Sequence, residues 1–363
     1  MTDEDYMRQA LQLAQKGRGW TNPNPMVGAV IVKDGCVIGE GWHTKCGALH
    51  AEREAFAHCS EDPQGATIYV TLEPCCHWGK TPPCTEAIIE NKIARVVIGA
   101  PDPNPLVAGK GVAQLRAAGI EVTEGVLLDE CVQINKVFFH YIQTKRPYVV
   151  VKYAMTLDGK ITTQPGVSQW ITGGEARIHA HEQSHRFASI LVGIETVLTD
   201  DPQLTCRLEG VECNNPVRVV LDSRLRTPLD SALAQTAHDV PTLICASSYD
   251  EDHAAALEAL GCEIIRVNTS DGRLDLSNVL DQLAARGIDS VYVEGGPTVH
   301  ASFVEAGLVD EVHAYVAPLM FGGTQAPGPV GGLGVATVQD ALHGSITHIE
   351  QLGADLFIEC EVS

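Results

Sequence analysis

The chain has 363 residues, 45% hydrophobic and 20% charged, which is long enough for two globular domains and too apolar for a disordered protein. Its 46 acidic and 25 basic residues give a formal charge of −21, which disfavours contact with a nucleic-acid backbone. No apolar stretch approaches the roughly 20 residues that span a bilayer, and the acidic start MTDEDYMRQALQLAQ is unlike a signal peptide. We therefore expect a cytoplasmic protein with reduced thiols that binds neither nucleic acid nor membrane.

The first half of the chain alternates helix and strand signals. Apolar residues at helical spacing predict a helix over 5–16, and two β-rich runs around a Lys-Asp-Gly turn predict a hairpin over 27–39. The further predicted elements are, in chain order, helix 51–59, strand 67–72, helix 85–91, strand 95–99, helix 111–118 and strand 120–122. Apolar strands that alternate with helices predict a layered α/β domain.

The alternation restarts after residue 146, where a proline precedes a new apolar strand over 148–155. We therefore predict two domains, residues 1–146 and residues 147–363. The further strands predicted in the second domain are 190–192, 217–222, 242–246, 263–267, 290–294, 311–316 and 356–360, with helices between several of them. The Pro- and Gly-rich stretch 322–334 predicts a long surface loop.

The most informative pattern is His50-Ala51-Glu52 followed by Pro74-Cys75 and by Cys84. A zinc ion that activates water takes three protein ligands and keeps one position open, and His50, Cys75 and Cys84 can supply the three. Glu52 is then free to move a proton from the water to a leaving amine. This pattern is that of the zinc nucleobase deaminases. Each residue alone could equally be a core thiol or a helix cap, and it is the joint pattern that favours a metal.

The segment between the two cysteines departs from the usual deaminase motif. Eight residues, CHWGKTPP, replace the two that normally separate the ligands. His77, Lys80 and Thr81 within this insertion are suited to holding a phosphate or a sugar hydroxyl. The alternative is that they are solvated loop residues.

The segment TLEPCCHWGKTPPC, with PNPMVGAV and LHAE upstream, resembles the bifunctional riboflavin-biosynthesis deaminase–reductases. The resemblance continues through KYAMTLDGKI, SQWIT, ILVGIETVLTDDPQLTCR and VEGGPT, and it covers nearly the whole chain in order. It implies a cytidine-deaminase-like three-layer α/β/α domain followed by a dihydrofolate-reductase-like α/β domain. It also implies zinc and NADPH as cofactors, and we expect a homo-oligomer.

For the first domain, the resemblance implies deamination of a diamino-pyrimidinone ribosyl 5′-phosphate with release of ammonia. By position, Asn24 and His43 would line the pyrimidine, while His77, Lys80 and Thr81 would hold the ribose phosphate. Cys76 stands where a serine is expected, which places two adjacent thiols at the metal site. We expect Cys75 to be the ligand, because it follows the proline of the motif, and Cys76 to point away.

The residues of the second domain point to a phosphate cradle without a dinucleotide fingerprint. No G-x-G-x-x-G occurs, but Gly295-Gly296-Pro297-Thr298 joins a predicted strand to a helix over 299–306, where backbone amides can bind phosphate. An ordinary Gly-Gly-Pro turn is the alternative. Lys152 lies in the apolar strand VVVKYAM, where a charge is costly unless it is paired. We predict Lys152, Asp200 and Glu294 as catalytic groups, the alternative for Lys152 being a snorkelling surface lysine.

The resemblance implies that this domain reduces the ribosyl group to ribityl with NADPH. It implies substrate contacts at Ser168, Ser184, Leu204, Arg207 and Glu294. It implies cofactor contacts at Ala154, Trp170, Thr196, Asp200, Ser223, Gly296, Pro297, Thr298, Val299, His300, Ala301 and Ser302. Ser184 stands where the family carries an arginine that contacts the substrate phosphate, so we expect weaker or rearranged phosphate binding, with His185 or Arg186 as possible substitutes.

Two other classes of protein also fit part of the sequence. A nucleoside or tRNA-type zinc deaminase fused to an unrelated C-terminal domain explains H-A-E and P-C but not CHWGKTPP or the second half. A structural zinc protein explains the ligands, yet such sites usually close with four ligands and do not place a carboxylate beside three.

Overall fold

The structure is a computed structural model that describes residues 1–79, 82–163, 170–208, 210, 212–270 and 272–363. The chain folds as two compact units, residues 1–145 and residues 146–363. The predicted site residues Lys80, Thr81 and Ser168 lie outside the described residues. No helix in the described part of the chain is long and apolar enough to cross a membrane.

The first unit alternates helices and strands, as the sequence predicts, and adds two short helices near its end. Its helices are α1 (Asp3–Gln15), α2 (Ala51–Ala57), α3 (Cys84–Glu90), α4 (Lys110–Ala117), α5 (Leu128–Ile134) and α6 (Lys136–Thr144). Its strands are β1 (Gly28–Lys33), β2 (Cys36–Trp42), β3 (Thr67–Leu72), β4 (Arg95–Ala100) and β5 (Glu121–Glu124). Helices α5 and α6 were not predicted, because Asn135 interrupts the helical pattern between them.

The strands of the first unit form one sheet in the order β2-β1-β3-β4-β5, in which β3, β4 and β5 are parallel and β1 is antiparallel to both its neighbours. Ala51, Ile88 and Leu115 of α2, α3 and α4 pack on one face. Met7 of α1 and Phe138 of α6 pack on the other. This three-layer α/β/α arrangement confirms the predicted fold of the first half.

Glycines let two helices lie directly on the hairpin of this sheet. A Cβ on Gly28 would overlap the carbonyl oxygen of Ala10 in α1, and a Cβ on Gly41 would overlap the backbone nitrogen of Ala55 in α2. Any larger residue would push the helices away. The close approach of α2 matters for the site, because α2 begins immediately after His50.

The second unit begins with a long strand and again alternates. Its strands are β6 (Tyr148–Thr156), β7 (Ser189–Gly193), β8 (Val217–Leu221), β9 (Thr242–Ala246), β10 (Cys262–Arg266), β11 (Thr269–Ser270), β12 (Arg273–Leu274), β13 (Ser290–Val293), β14 (Glu311–Ala317), β15 (Gly344–Leu352) and β16 (Asp355–Val362). Its helices are α7 (Gly174–Arg186), α8 (Ile194–Asp200), α9 (Ala232–Gln235), α10 (Glu251–Ala259), α11 (Leu276–Ala285) and α12 (Pro297–Glu305), and residues 338–340 form a 3₁₀ turn.

Nine of these strands form one sheet in the order β10-β9-β8-β7-β13-β6-β14-β16-β15. The strands from β10 to β14 are parallel, and β16 and β15 continue the sheet antiparallel. Strand β15 was not predicted, because eight of its nine residues are exposed and no alternation of apolar and polar residues marks it. The carboxyl ends of β8, β7, β13 and β6 meet at one edge, where ligands bind in open α/β sheets.

Candidate active sites

Three elements of the first unit bring His50, Cys75 and Cys84 together. His50 caps α2, Cys75 follows Pro74 after the end of β3, and Cys84 opens α3. His50 Nδ1 lies 3.5 Å from Cys75 Sγ and 3.4 Å from Cys84 Sγ, and the three donor atoms lie within 4.8 Å of one another. Each ligand therefore stands at the amino end of a helix or the carboxyl end of a strand, where the backbone fixes its direction.

The donor set and its spacing fit a zinc ion. Bond lengths of about 2.1 Å to nitrogen and 2.3 Å to sulfur at a tetrahedral angle place the two donor atoms about 3.6 Å apart. Hydrogen bonds from the Cys84 thiol, from His50 and from the Cys84 backbone amide lower the pKa of Cys75 to about 4. The neighbouring Cys75 sulfur raises the pKa of His50. A thiolate is thus favoured at Cys75, and thiolate is the form of cysteine that binds metal. The hydrogen bond to Cys75, and then burial, raises the pKa of Cys84.

Glu52 lies in the first turn of α2, beside the three donor atoms but outside their group. Only 3% of the residue is exposed. Burial, and then the charge of Cys75, raises the pKa of its carboxyl above the ordinary value. A buried carboxyl of raised pKa next to a water-activating site can hold and return a proton, which is the role predicted for it.

A cavity of about 290 Å³ opens onto these residues and onto the predicted pyrimidine contacts Asn24 and His43. His43 Nδ1 lies 2.9 Å from the carbonyl oxygen of Leu49 and so donates to it. Its Nε2 is therefore an acceptor, and the Asn24 amide lies 3.3 Å from it. Burial lowers the pKa of His43, which keeps the ring neutral.

The described part of the CHWGKTPP insertion borders the same cavity through His77 and Gly79. His77 Nδ1 is buried and has no hydrogen-bond partner among the described residues. The end of the insertion is fixed by Arg53, whose guanidinium donates to the carbonyl oxygens of Pro82 (3.2 Å) and Pro83 (2.8 Å). The Cys76 thiol lies 3.8 Å from the Leu106 carbonyl oxygen, and it is not part of the donor group.

Two residues of the cavity wall were missed by the sequence analysis, Asp102 and Asn104. Burial raises the pKa of Asp102 to about 6, aided by the charges of Glu73 and Cys75. The wall is held by the buried Glu73, whose carboxylate accepts from the backbone amides of Asp102 (3.4 Å), Gly109 (3.0 Å) and Val112 (3.1 Å). The available signal was an acidic residue two positions after the carboxyl end of the parallel strand β4.

In the second unit, Lys152 forms an ion pair with Glu294, with Nζ 3.3 Å from Oε1. Lys152 lies in β6, and Glu294 follows β13, the neighbouring strand. Their side chains are 18% and 23% exposed, so the pair is partly withdrawn from water. Asp200, the third predicted catalytic group, is exposed at the end of α8.

The predicted phosphate cradle lies beside this pair. Gly296 caps α12 with a φ of 73°, and Pro297 occupies the first turn. A Cβ on Gly296 would point toward Thr196 Oγ1, 3.7 Å away, and one on Gly295 would stand 2.6 Å from the Val192 backbone. The glycines therefore bring the α12 amino end against the carboxyl end of β7, and an anion at this helix end would meet backbone amides. Thr298 and Val299 lie in this first turn, whereas the side chains of His300 and Ala301 are buried.

The other predicted reductase residues lie in different surroundings. Ala154 lies in β6 two residues after Lys152, and Ser223 follows β8. Arg207 contacts Gln203 Oε1 at 3.3 Å, in the same loop as Leu204. Trp170 is 78% exposed with the Arg177 guanidinium over its ring, and Ser302 donates to the Thr298 carbonyl oxygen.

The departure at Ser184 has a clear local structure. Ser184 is buried in α7, and its hydroxyl donates to the His181 carbonyl oxygen at 2.9 Å. His185 contacts the Asn214 backbone, and the Arg186 guanidinium lies over the Phe187 ring. Burial is the main cause that lowers the pKa of His181. The charges of Arg207, Glu294 and Lys152 also affect this pKa, so His181 lies near these three groups. His181 is thus a further candidate that the sequence analysis missed.

Comparison with known proteins assigns both units. Residues 1–100 match the family "Cytidine and deoxycytidylate deaminase zinc-binding region", and residues 147–358 match the family "RibD C-terminal domain". The riboflavin biosynthesis protein RibD of Actinobacillus pleuropneumoniae is 50% identical over 99% of this chain and 95% of its own length. That of Escherichia coli is 39% identical over 98% of both chains.

Solved structures agree over the full length. Acinetobacter baumannii RibD superposes with a TM-score of 0.90 at 37% identity and 99% coverage of both chains. A Thermotoga maritima protein described as a diaminohydroxyphosphoribosylaminopyrimidine deaminase/5-amino-6-(5-phosphoribosylamino)uracil reductase superposes at 0.87 with 38% identity and 99% coverage of both chains. The alternative of an unrelated C-terminal domain is therefore wrong. The chain belongs to the RibD family of bifunctional riboflavin-biosynthesis enzymes, with a deaminase unit followed by a reductase unit.

Proposed function

We propose that the first unit deaminates a diamino-pyrimidinone ribosyl 5′-phosphate with a zinc ion, and that the second unit then reduces the ribosyl group to ribityl with NADPH. The similarity to the Thermotoga maritima deaminase/reductase, whose description names such a phosphoribosylaminopyrimidine, supports this choice of substrate. The observation that carries the proposal is the joint presence of two sites. One is the His50, Cys75 and Cys84 group with Glu52 beside it, and the other is the Lys152–Glu294 pair beside a glycine cradle.

In the deaminase unit, His50, Cys75 and Cys84 would hold the zinc ion. The ion would lower the pKa of a water enough for hydroxide to form near neutral pH, and hydroxide can attack a ring carbon. Glu52 would take the proton of the water and return it to the departing amine, so that a C–O bond forms and the C–N bond breaks with ammonia as the leaving group. Asn24 and His43, with Asp102 beside them in the cavity wall, would orient the pyrimidine, while His77, Lys80 and Thr81 would hold the ribose phosphate.

In the reductase unit, Ala154, Trp170, Thr196, Asp200, Ser223 and the turn from Gly296 to Ser302 would hold NADPH, which supplies a hydride for C1 of the sugar. The C1–H bond forms as the bond from C1 to the ring oxygen breaks. The Lys152 ammonium would give its proton to that oxygen, and Glu294, 3.3 Å from Nζ, would hold the lysine in position. Ser168, Leu204 and Arg207 would hold the substrate, and the buried Ser184 would leave its phosphate to Arg207.

A single cuvette tests both activities in sequence. Zinc-loaded protein is given the diamino-pyrimidinone ribosyl phosphate, ammonia is measured, and NADPH is then added and followed at its absorbance band. We expect ammonia first and NADPH oxidation second. Turnover of cytidine, guanine or adenosine in place of this substrate, or no ammonia from zinc-loaded protein, would overturn the proposed substrate.

Removing zinc separates a catalytic site from a structural one. A chelator is expected to abolish ammonia release and to leave NADPH oxidation with the deaminated product intact. The circular dichroism should change little, because the hydrophobic faces of the sheet hold the first unit together. Added zinc should restore ammonia release. A cooperative loss of helix signal on chelation would instead identify a structural metal.

A homo-oligomer is part of the proposal, and strand β15 supports it. This strand is the outer strand of the large sheet, and Ile346 and Ile349 on it are 60% and 59% exposed. Exposed apolar edges of this kind are usually covered by a partner. Light scattering of the purified protein is expected to give a multiple of the 38.9 kDa chain mass, and a monomer at micromolar concentration would contradict this.

We also place the protein in the cytoplasm. All twelve cysteines fall within the described residues, and each is a free thiol. This state fits a reducing compartment. It also fits the metal site, which needs the thiolates of Cys75 and Cys84.

A further inference from the structure

Strand β14 carries a row of buried polar side chains, Glu311, His313 and Tyr315, on one face of the reductase sheet. All three are at most 1% exposed. The Tyr148 hydroxyl donates to Glu311 Oε2 at 2.7 Å, and His313 Nε2 lies 2.7 Å from Glu311 Oε1. A buried polar group is tolerated when it is hydrogen-bonded, and this row is bonded along its length.

Tyr315 ends the row at the active-site side. Its hydroxyl lies 3.0 Å from His179 Nδ1 of α7. Its ring packs against Phe357 of β16, with centroids 5.0 Å apart. Contacts from α7 and β16 thus hold the plane of this aromatic ring.

The Lys152 ammonium lies over this ring, with Nζ 5.7 Å from its centroid. Strand β14 is paired to β6, so that Tyr315 lies opposite Ala154, two residues beyond Lys152. The ammonium therefore stands between two partners, the Glu294 carboxylate at 3.3 Å and the face of the Tyr315 ring. An aromatic face attracts a cation, and the attraction strengthens where the cation is partly desolvated.

We propose that Tyr315 is a positioning residue of the reductase, whose ring fixes the direction of the Lys152 ammonium. The ion pair with Glu294 gives Lys152 its charge partner, but a single carboxylate leaves the long lysine side chain free to swing about it. The Tyr315 ring limits the movement of the lysine side chain on one side. This inference rests on the proposed role of Lys152 as the proton donor.

Two variants separate the ring from the hydroxyl. Tyr315→Phe keeps the aromatic face and loses the hydroxyl contact to His179, whereas Tyr315→Leu loses the face as well. We expect Tyr315→Leu to lower kcat for NADPH oxidation roughly tenfold or more, with the KM for NADPH changed less than about threefold. Tyr315→Phe should keep kcat within about threefold of the parent protein, although both variants should melt earlier because His179 loses a hydrogen-bond partner.

Ammonia release by each variant serves as the internal control for intact protein. Equal loss of kcat in the two variants would assign the effect to the hydroxyl and overturn the proposal, as would an unchanged kcat in Tyr315→Leu. Lys152→Met is measured beside them. If that variant still oxidises NADPH, the role of Lys152 itself is wrong, whereas an inactive Lys152→Met with a fully active Tyr315→Leu rejects only the positioning by Tyr315.

Discussion

Glu52→Gln is expected to lower kcat for ammonia release by about 10²–10⁴, which is the usual contribution of a positioned acid–base group. The amide has the shape of the carboxyl but cannot take a proton from water. Because Glu52 is buried beside the three donor atoms and is not one of them, the variant should keep its zinc. Ammonia release measures the catalytic loss, and zinc content shows whether the metal is kept. NADPH oxidation with the deaminated product shows whether the reductase unit is intact.

The matched control is Glu54→Gln in the same helix. Glu54 lies two residues on, with its side chain 22% exposed and its carboxylate toward His58. Its loss should leave ammonia release within about twofold, as for most surface changes. Zinc lost from Glu52→Gln, or ammonia release unaffected by it, would show that Glu52 is a ligand or a bystander.

Lys152→Met is expected to show the opposite pattern. It should lower the rate of NADPH oxidation by about 10²–10⁴ and leave ammonia release unchanged. Methionine keeps the length and the apolar stem of lysine but carries no proton. The variant also leaves Glu294 without its cation, so a lower melting temperature is expected. Single-turnover oxidation of NADPH with the deaminated intermediate gives the rate of the chemical step.

Glu294→Gln completes the comparison for the reductase pair. It keeps a hydrogen-bond acceptor for Lys152 and removes the charge, so the loss of rate should be smaller than for Lys152→Met. A Lys152→Met enzyme that oxidises NADPH at the parent rate would mean that the ion pair stabilises the fold and takes no part in the proton transfer.

The sequence could group His50, Cys75 and Cys84 as predicted donors because each is fixed by its own local segment. These residues stand after the end of a strand or at the start of a helix, and such positions can be recognised from neighbouring residues. Asp102 also follows the end of a strand, β4, but that position alone does not show that it borders the cavity. It reaches the cavity because Glu73 accepts hydrogen bonds from three backbone amides of a later segment, and that contact depends on tertiary folding.

In the second unit, too, some residues could be recognised from local sequence and others depend on tertiary folding. Lys152 was recognised because a charge in an apolar strand requires a partner, and the partner is Glu294. His181 was missed because α7, with the sequence GEARIHAHEQSHR, has polar residues all round and no apolar stripe to tell which face turns inward. The row on β14 was missed because histidine and glutamate in a strand usually mark a solvent face, whereas here α7 covers that face.

The way in which Glu73 holds the deaminase wall has a consequence for how substrate preference can evolve. Its carboxylate accepts hydrogen bonds from main-chain N–H groups, which every residue except proline possesses. Asp102 and Asn104, whose side chains line the cavity, can therefore be exchanged without loss of these three bonds. Gly109, at a φ of 76°, and Gly111, where a Cβ would overlap the Pro74 carbonyl oxygen, have no such freedom. The backbone path of this wall and its side-chain chemistry are thus set by different residues, so the second can change during evolution while the first is kept.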